Sequence, residues 1–196
     1  GCTYAAQSQD RRCLCPFCRT PAHTSDGEYI KRIKKRVEVD DAEAMYNLGC
    51  YYRDVRYVLR QNHKKATKLW RRAGELGHAE AHCTIGTAYD NGEGVERDEK
   101  KANYYYEIAA MGGDVEARHN IGCNEYNAGN MDRAVKHWMI SAAAGHDKSL
   151  QQVRRCFMEG HATKDDFEKA LRAHKDAKDE MKSDHREAAA ASRGQK

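Results

Sequence analysis

The amino-acid sequence predicts an all-α fold, a solenoid of stacked helix-turn-helix repeats, and three observations predict it. The first is one complete unit between His78 and Gly113. Its Ala81, Ile85, Gly86 and Tyr89 recur at spacings that place them on one side of a helix. Asn91-Gly92-Glu93-Gly94 then favours a turn, because two glycines in four residues loosen the helical backbone. A second helix follows from Lys100 to Met111, with Ala102, Tyr105, Tyr106 and Ala109 inward and Tyr104 half exposed, until Gly112-Gly113 stops it. The second observation is repetition. Ala44, Leu48, Gly49 and Tyr52 precede the unit in the same register, and Ala117, Ile121 and Gly122 follow it. The second helix recurs as Ala66, Trp70 and Ala73, and again as Ala134, Trp138 and Ser141. Closing glycines Gly77, Gly113 and Gly145 stand roughly 34 residues apart, the period of a helical repeat whose hairpins must stack to bury their apolar faces. The third is composition: two prolines and three phenylalanines in 196 residues, among many Ala, Lys, Glu and Asp, favour helix over sheet.

The motifs A-x-x-x-I-G-x-x-Y, N-G-x-G-V and K-A-x-x-x-Y-x-x-A-x-x-x-G, read from Ala81 to Gly113, resemble the Sel-one-like repeat (SLR) family, a relative of the tetratricopeptide repeats. The resemblance covers residues 41–160. It implies a right-handed superhelix that binds other proteins and has no catalytic chemistry of its own. It also implies that first helices line the inner surface.

Along the chain, residues 1–22 come first. Cys15-Pro16-Phe17-Cys18 has a spacing that lets both thiolates reach one tetrahedral zinc ion. Followed by Arg19-Thr20-Pro21, it resembles the closing end of a RING finger. That resemblance implies Cys2, Cys15 and Cys18 as zinc ligands, with Cys2 in the position of the sixth of eight. Cross-bracing would leave Cys2 alone at one zinc and Cys15 and Cys18 as half of the other set, so neither site closes within this chain. The segment therefore reads as a truncated finger whose other ligands lie upstream. Two alternatives stay open: one zinc held by Cys13, Cys15, Cys18 and His23, or unliganded cysteines.

Residues 23–40 form a basic linker helix. Ser25-Asp26-Gly27-Glu28 has the form of a capping box. Ile30, Ile33 and Val37 make a narrow stripe suited to docking on the first repeat, while Lys31, Arg32, Lys34, Lys35 and Arg36 fill the other sides. That patch reads as a solvated helix face, or as a site for nuclear import or nucleic acid. No aromatic residues are interleaved with it, so nucleic acid is the less expected partner.

Within the repeats, the stretch from Asp54 to Asn62 lacks the glycines of the middle turn, which predicts an irregular connection with Tyr57, Val58 and Leu59 tucked inward. Glu125 stands where Tyr89 stood, so its contact is lost or taken over by Tyr126. A fourth start at Ser149, Val153 and Phe157 has Arg154 in place of the glycine, which predicts looser packing. Residues 161–196 read as a capping helix with a thin stripe at Phe167, Leu171, His174 and Met181, disordered from Ser192 onward.

A helical wheel turns Tyr46, Asn47 and Cys50 away from the packed side, together with Cys83, Thr84 and Thr87 and then His119, Asn120 and Cys123. These nine are the candidate peptide-contact residues. Asn47 and Asn120 stand out because an amide both donates to and accepts from a partner backbone. Glu43, Glu80 and Glu116 share the same side. His78 and His82 stand i, i+4, a spacing that can chelate zinc, but no carboxylate or cysteine partner is evident in sequence. Cys50 and Cys123, at equivalent positions two repeats apart, are expected to be too distant to share a metal or a disulfide.

Net charge is +4 with both signs interspersed, which does not single out a nucleic-acid binder. No apolar run is long enough for a membrane span. Four cysteines cluster before residue 19 and four scatter along helices, a distribution that fits a reducing compartment, cytoplasmic or nuclear. The expected function is a protein-interaction scaffold attached to a partial RING-type zinc-binding domain. The alternative is the substrate-binding part of a RING-type ubiquitin-protein ligase, with a ubiquitin-conjugating enzyme as partner of the complete finger.

Overall fold

The computed structural model describes residues 25–55 and 59–193, with side chains to residue 183. The expected ligands Cys2, Cys13, Cys15, Cys18 and His23 lie outside the described residues, as do Tyr57 and Val58. The described elements are α-helices, and the fold is all-α, of the helical-repeat solenoid type. The chain divides into two compact units, Gly1–His78 and Ala79–Lys196.

The first unit contains α1 (Asp26–Glu38), α2 (Ala42–Arg53) and α3 (His63–Glu75). Ser25 caps α1 as the capping box predicts, its Oγ accepting from the Glu28 amide at 3.3 Å. The stripe of α1 docks as expected: Ile30 and Ile33 are buried against Ala44 and Leu48, with Val37, Leu59 and Leu69 at the margin. The chain reverses at Asp40, which takes a positive φ of 56°. Asp41 then caps α2 through the Ala44 amide at 3.0 Å and also receives Arg36 at 2.7 Å. The amide first, and Arg36 after it, hold the Asp41 carboxyl below its ordinary pKa. In the irregular connection Leu59 does pack inward, and the Asn62 amide ties the loop end to the Tyr52 carbonyl at 2.9 Å.

The second unit contains α4 (Ala79–Asn91), α5 (Glu99–Met111), α6 (Val115–Asn127), α7 (Met131–Ala143), α8 (Asp147–Met158) and α9 (Lys164–Arg193). Asp98 and Asp114 cap α5 and α6, accepting from Lys101 and Ala117 amides at 3.0 and 2.6 Å. Gly113 and Gly145 end helices with φ of 87° and 84°, a region closed to most side chains.

The repeat's defining contact is a ring laid over a glycine. A Cβ on Gly49 would stand 2.4 Å from the Trp70 indole nitrogen. On Gly86 it would stand 2.6 Å from the Tyr106 ring, and on Gly122 2.6 Å from the Trp138 nitrogen. The ring's polar tip is then satisfied by the opposite helix: Trp70 Nε1 donates to the Tyr46 carbonyl at 3.3 Å, Trp138 Nε1 to the His119 carbonyl at 3.2 Å, and the Tyr106 hydroxyl to Thr87 at 3.2 Å. An alanine below each ring (Ala66, Ala102, Ala134) is fully buried. Small residues thus let two helix backbones approach, and the ring fills the space left above them.

Three expectations need correction. Tyr105 is only half-buried; it stacks on Tyr89 at 5.7 Å rather than entering the core, because Tyr106 alone points at Gly86. The fourth start is well packed: Val153 and Cys156 are fully buried, and Phe157 stacks on Phe167 at 5.4 Å, so apolar contact replaces the ring over glycine. The last helix continues through Ser192 and Arg193, where disorder is expected from sequence; the alanine run from Ala188 to Ala191 has high helix propensity and carries it on. Tyr126 takes over the lost Tyr89 contact, its ring 5.7 Å from that of Trp138. Among the described residues, no helix is long and apolar enough to cross a membrane.

Candidate functional site

The candidate surface is the outward side of the first helices within each unit. In the first unit it lies on α2. Tyr46, Asn47 and Cys50 are half-buried there. The Tyr46 ring stacks on His78, centroids 4.6 Å apart. His78 Nε2 lies 3.1 Å from Glu43, and the Asn47 amide donates to the same carboxylate at 2.8 Å. His78 first and Asn47 second hold Glu43 below the usual carboxylate range. The carboxylate partner of His78 that the sequence did not disclose is therefore Glu43, brought from 35 residues upstream. Among the described residues, no group of three or more His, Cys, Asp or Glu side chains could hold a metal ion.

In the second unit the same positions fall on α4 and α6, and the structure turns two of them inward. Cys83 is 5% exposed and belongs to the core around Tyr106. His119 is 8% exposed. The wheel placed both outside because it sees one helix at a time. Each is covered by the next element, with Ala117 and Ile121 of α6 beside Cys83, and Ser149 of α8 against His119. Thr84 and Thr87 are half-buried and bond back to the Glu80 and Cys83 carbonyls at 3.0 and 3.2 Å. Cys123 is half-buried against the Trp138 core. Asn120 is half-buried, and its amide makes only a 4.0 Å contact to Cys83 Sγ among the described residues.

Around His119 the second unit builds a connected polar chain. The Ser149 amide donates to His146 Nδ1 at 3.3 Å, so that nitrogen carries a lone pair, and His146 Nε2–H donates to Glu116 at 2.9 Å. Ser149 Oγ lies 2.8 Å from Nδ1 of both His146 and His119. One hydroxyl has one proton. It serves His146, so His119 Nδ1–H donates to Ser149, and His119 Nε2 is left to face the Cys123 thiol at 3.5 Å. Burial, and then the nearby His146, push His119 below its ordinary pKa; burial pushes the Cys123 thiol up. This chain joins α6 to α8 through the His119–Ser149 and His146–Glu116 hydrogen bonds.

The sequence reasoning missed the pairing of His78 with Glu43 and of His146 with Glu116. A signal existed: histidine follows two of the three closing glycines, and in both cases the preceding first helix carries a glutamate in its first turn, Glu43 and Glu116. In the middle repeat Asp114 takes the histidine's place and caps α6 instead. It also missed a depression of about 280 Å³ between α5, α6 and α7, lined by Ala110, Met111, Ile121, Glu125, Arg133 and His137 among others.

Comparison with known proteins places these features in a family context. Residues 42–78 and 79–114 match the Sel1 repeat. A DAP3-binding cell death enhancer 1 of Rattus norvegicus is 32% identical over 98 residues, 48% of this chain and 19% of that protein. An ERAD-associated E3 ubiquitin-protein ligase component, HRD3B of Arabidopsis thaliana, is 38% identical over 63 residues, 32% of this chain and 10% of that protein. The chain thus matches about a fifth or less of the length of these relatives. Among solved structures, a protective antigen of uropathogenic Escherichia coli strains displaying an SLR fold is 29% identical with a TM-score of 0.65, covering 77% of this chain and 33% of that one. A Sel1 repeat protein from Oxalobacter formigenes gives a TM-score of 0.67 at 24% identity, over 79% of this chain and 64% of that one, a likeness of fold.

Proposed function

We propose that the chain is a protein-docking module whose first helices receive an extended client segment. Asn120 carries this reading: a half-buried amide on α6, between the buried His119 and the Cys83 thiol, with its hydrogen-bonding capacity almost unspent. Asn47 occupies the equivalent place on α2 and Thr84 that on α4. Within the second unit, the Asn120 amide and the Thr84 hydroxyl at repeat spacing suit a peptide backbone, whose donors and acceptors also recur regularly. The surface requires no reactive group. Its histidines and cysteines are tied to neighbours, and their work is to shape it.

The test is a peptide selected from a displayed library on the intact chain. Asn120→Ala and Asn47→Ala are each expected to weaken its binding roughly fivefold to tenfold, about 1 kcal/mol for a lost hydrogen bond. A selected peptide indifferent to both changes would remove the first helices from the reading.

A second reading sets the module inside a ubiquitin ligase in a reducing, cytoplasmic or nuclear compartment. It rests on the Cys15-Pro16-Phe17-Cys18 knuckle and on the ligase component among the relatives. Cys2, Cys15 and Cys18 would then be zinc ligands completed by upstream sequence. Autoubiquitination by an upstream-extended chain, absent from the present one, is the expected result. One tightly held zinc ion per present chain would instead support the set Cys13, Cys15, Cys18 and His23, and two would contradict the half-site argument.

A further inference from the structure

We infer that the outer faces of α1 and α3 dock an acidic segment of a protein partner, at a surface separate from the first helices. On α3 every outward position but the last is basic: Lys64, Lys65, Lys68, Arg71 and Arg72 are all exposed, and Glu75 ends the row. On α1, Lys31, Lys34, Lys35 and Arg36 are exposed, with Glu38 at the end. The two rows meet at the Asp40–Asp41 corner. Arg36 binds Asp41 at 2.7 Å there, and Arg72 reaches Asp40 at 3.4 Å and Glu75 at 3.3 Å. Those acids neutralise two arginines. Lys31, Lys34, Lys35, Lys64, Lys68 and Arg71 have no acidic partner among the described residues.

Packing does not require this charge. The repeat register shows which second-helix positions face outward, and the other hairpins fill them differently. The places of Lys68, Arg71 and Arg72 hold Tyr104, Glu107 and Ile108 on α5, and Lys136, Met139 and Ile140 on α7. Lys64 and Lys65 recur as Lys100 and Lys101 on α5, so the row is particular to α3 from Lys68 onward, where the same scaffold stands with apolar or mixed residues.

Charge complementarity selects a polyanion, and three features select a protein. Neither face offers an outward aromatic on which a base could stack. The cations are mostly lysines, point charges that pair with single carboxylates without the bidentate geometry arginine supplies. Glu38, Asp40, Asp41 and Glu75 also lie on or beside the surface, where they would repel the closely spaced phosphates of a duplex. A peptide can instead place its acids opposite lysines and leave neutral residues elsewhere. Each 13-residue helix is about 20 Å long, the reach of roughly six extended residues.

The experiment titrates the full chain, at low ionic strength, against a fluorescent peptide of mixed Glu and Asp, a short RNA duplex, and vesicles of phosphatidylcholine and phosphatidylserine. The peptide is expected to bind best, with affinity falling linearly as the logarithm of salt rises. The triple variant Lys64→Glu, Lys68→Glu, Arg71→Glu is expected to lose at least about tenfold, as is Lys31→Glu, Lys34→Glu, Lys35→Glu on the other helix. The α7 control Lys136→Glu keeps full binding, and circular dichroism confirms that each variant is folded. Tighter binding of the duplex or the vesicles than of the peptide overturns the inference. So does equal loss in the control, or no peptide binding at all.

Discussion

In three hairpins a glycine lies under an aromatic ring; in the last pair, α8 and α9, Arg154 stands where the glycine would be and His174 where the ring would be. The inner hairpins are held by a shape that admits nothing larger. The last pair is held by Val153, Cys156 and Ala170 in its core, by the stacked Phe157 and Phe167, and by Asp147 at its edge. Asp147 lies 3.0 Å from Lys178 and 2.9 Å from His174. Lys178 foremost, and also His174, hold that carboxyl below its ordinary pKa. The difference shows what the repeat motif encodes. Within each of the three ring-bearing hairpins the glycine draws the two backbones close and the ring seals the seam. Where the stack closes, the seam can carry long polar side chains that end at solvent.

The comparison breaks most readily at the ring. Trp138→Ala removes a 1%-exposed indole and is expected to cost about 3–5 kcal/mol in urea unfolding, the range for an emptied aromatic site. Gly122→Ala keeps the indole but pushes a methyl into it, for about 1–3 kcal/mol and loss of the Trp138 bond to the His119 carbonyl. At the matching place in the last pair, the exposed Arg154→Ala is expected to change stability by no more than about 0.5 kcal/mol. Equal costs at Gly122 and Arg154 would show that the ring over glycine is incidental.

Acid tests the joint between the two kinds of hairpin, because His119 bridges α6 to Ser149 of α8. His146, Glu116, Lys148 and the Cys123 thiol are the titratable groups around it. Folded His119 binds a proton less readily than the unfolded chain does, so unfolding takes one up. Stability from this group is complete above the ordinary histidine value of about 6.5 and is lost as pH falls from there toward the lower folded value. The slope from one such group is at most about 1.4 kcal/mol per pH unit. His137, also lowered by burial, adds in the same direction. His119→Gln is expected to flatten the pH dependence of the urea midpoint without abolishing it. An unchanged profile would mean that His119 does not take up a proton on unfolding.

The smallest effect is kinetic. Cys156 is less exposed than Cys83, 0% against 5%, yet it belongs to the pair without the ring. Alkylation followed by peptide mass spectrometry is expected to reach Cys156 before Cys83, because labelling of buried thiols follows local opening rather than static exposure. The reverse order would make the last pair as firmly closed as the others.

Much of this was legible beforehand. Ala81, Gly86, Tyr106 and their copies marked the hairpins because close helix packing restricts residue choice at fixed intervals. The stripe Ile30, Ile33 and Val37 announced a docked helix for the same reason. The candidate surface was legible only in part. Asn47, Thr84 and Asn120 are partly open as the wheel suggests, whereas Cys83 and His119 are covered by elements that one helix's periodicity does not reveal. The Glu43–His78 and Glu116–His146 pairs cross about 30 or more residues, and no local pattern forces them.

Local sequence determined the helices, their caps and the side each turns to its partner, because those depend on neighbours three and four residues away and on side-chain size. Only the tertiary structure decided which outward residues stay outward, which acid meets which histidine, and that the basic rows of α1 and α3 converge at one corner. Those are outcomes of stacking: they depend on which element comes next in space, and a periodicity measured within one helix carries no record of its neighbour.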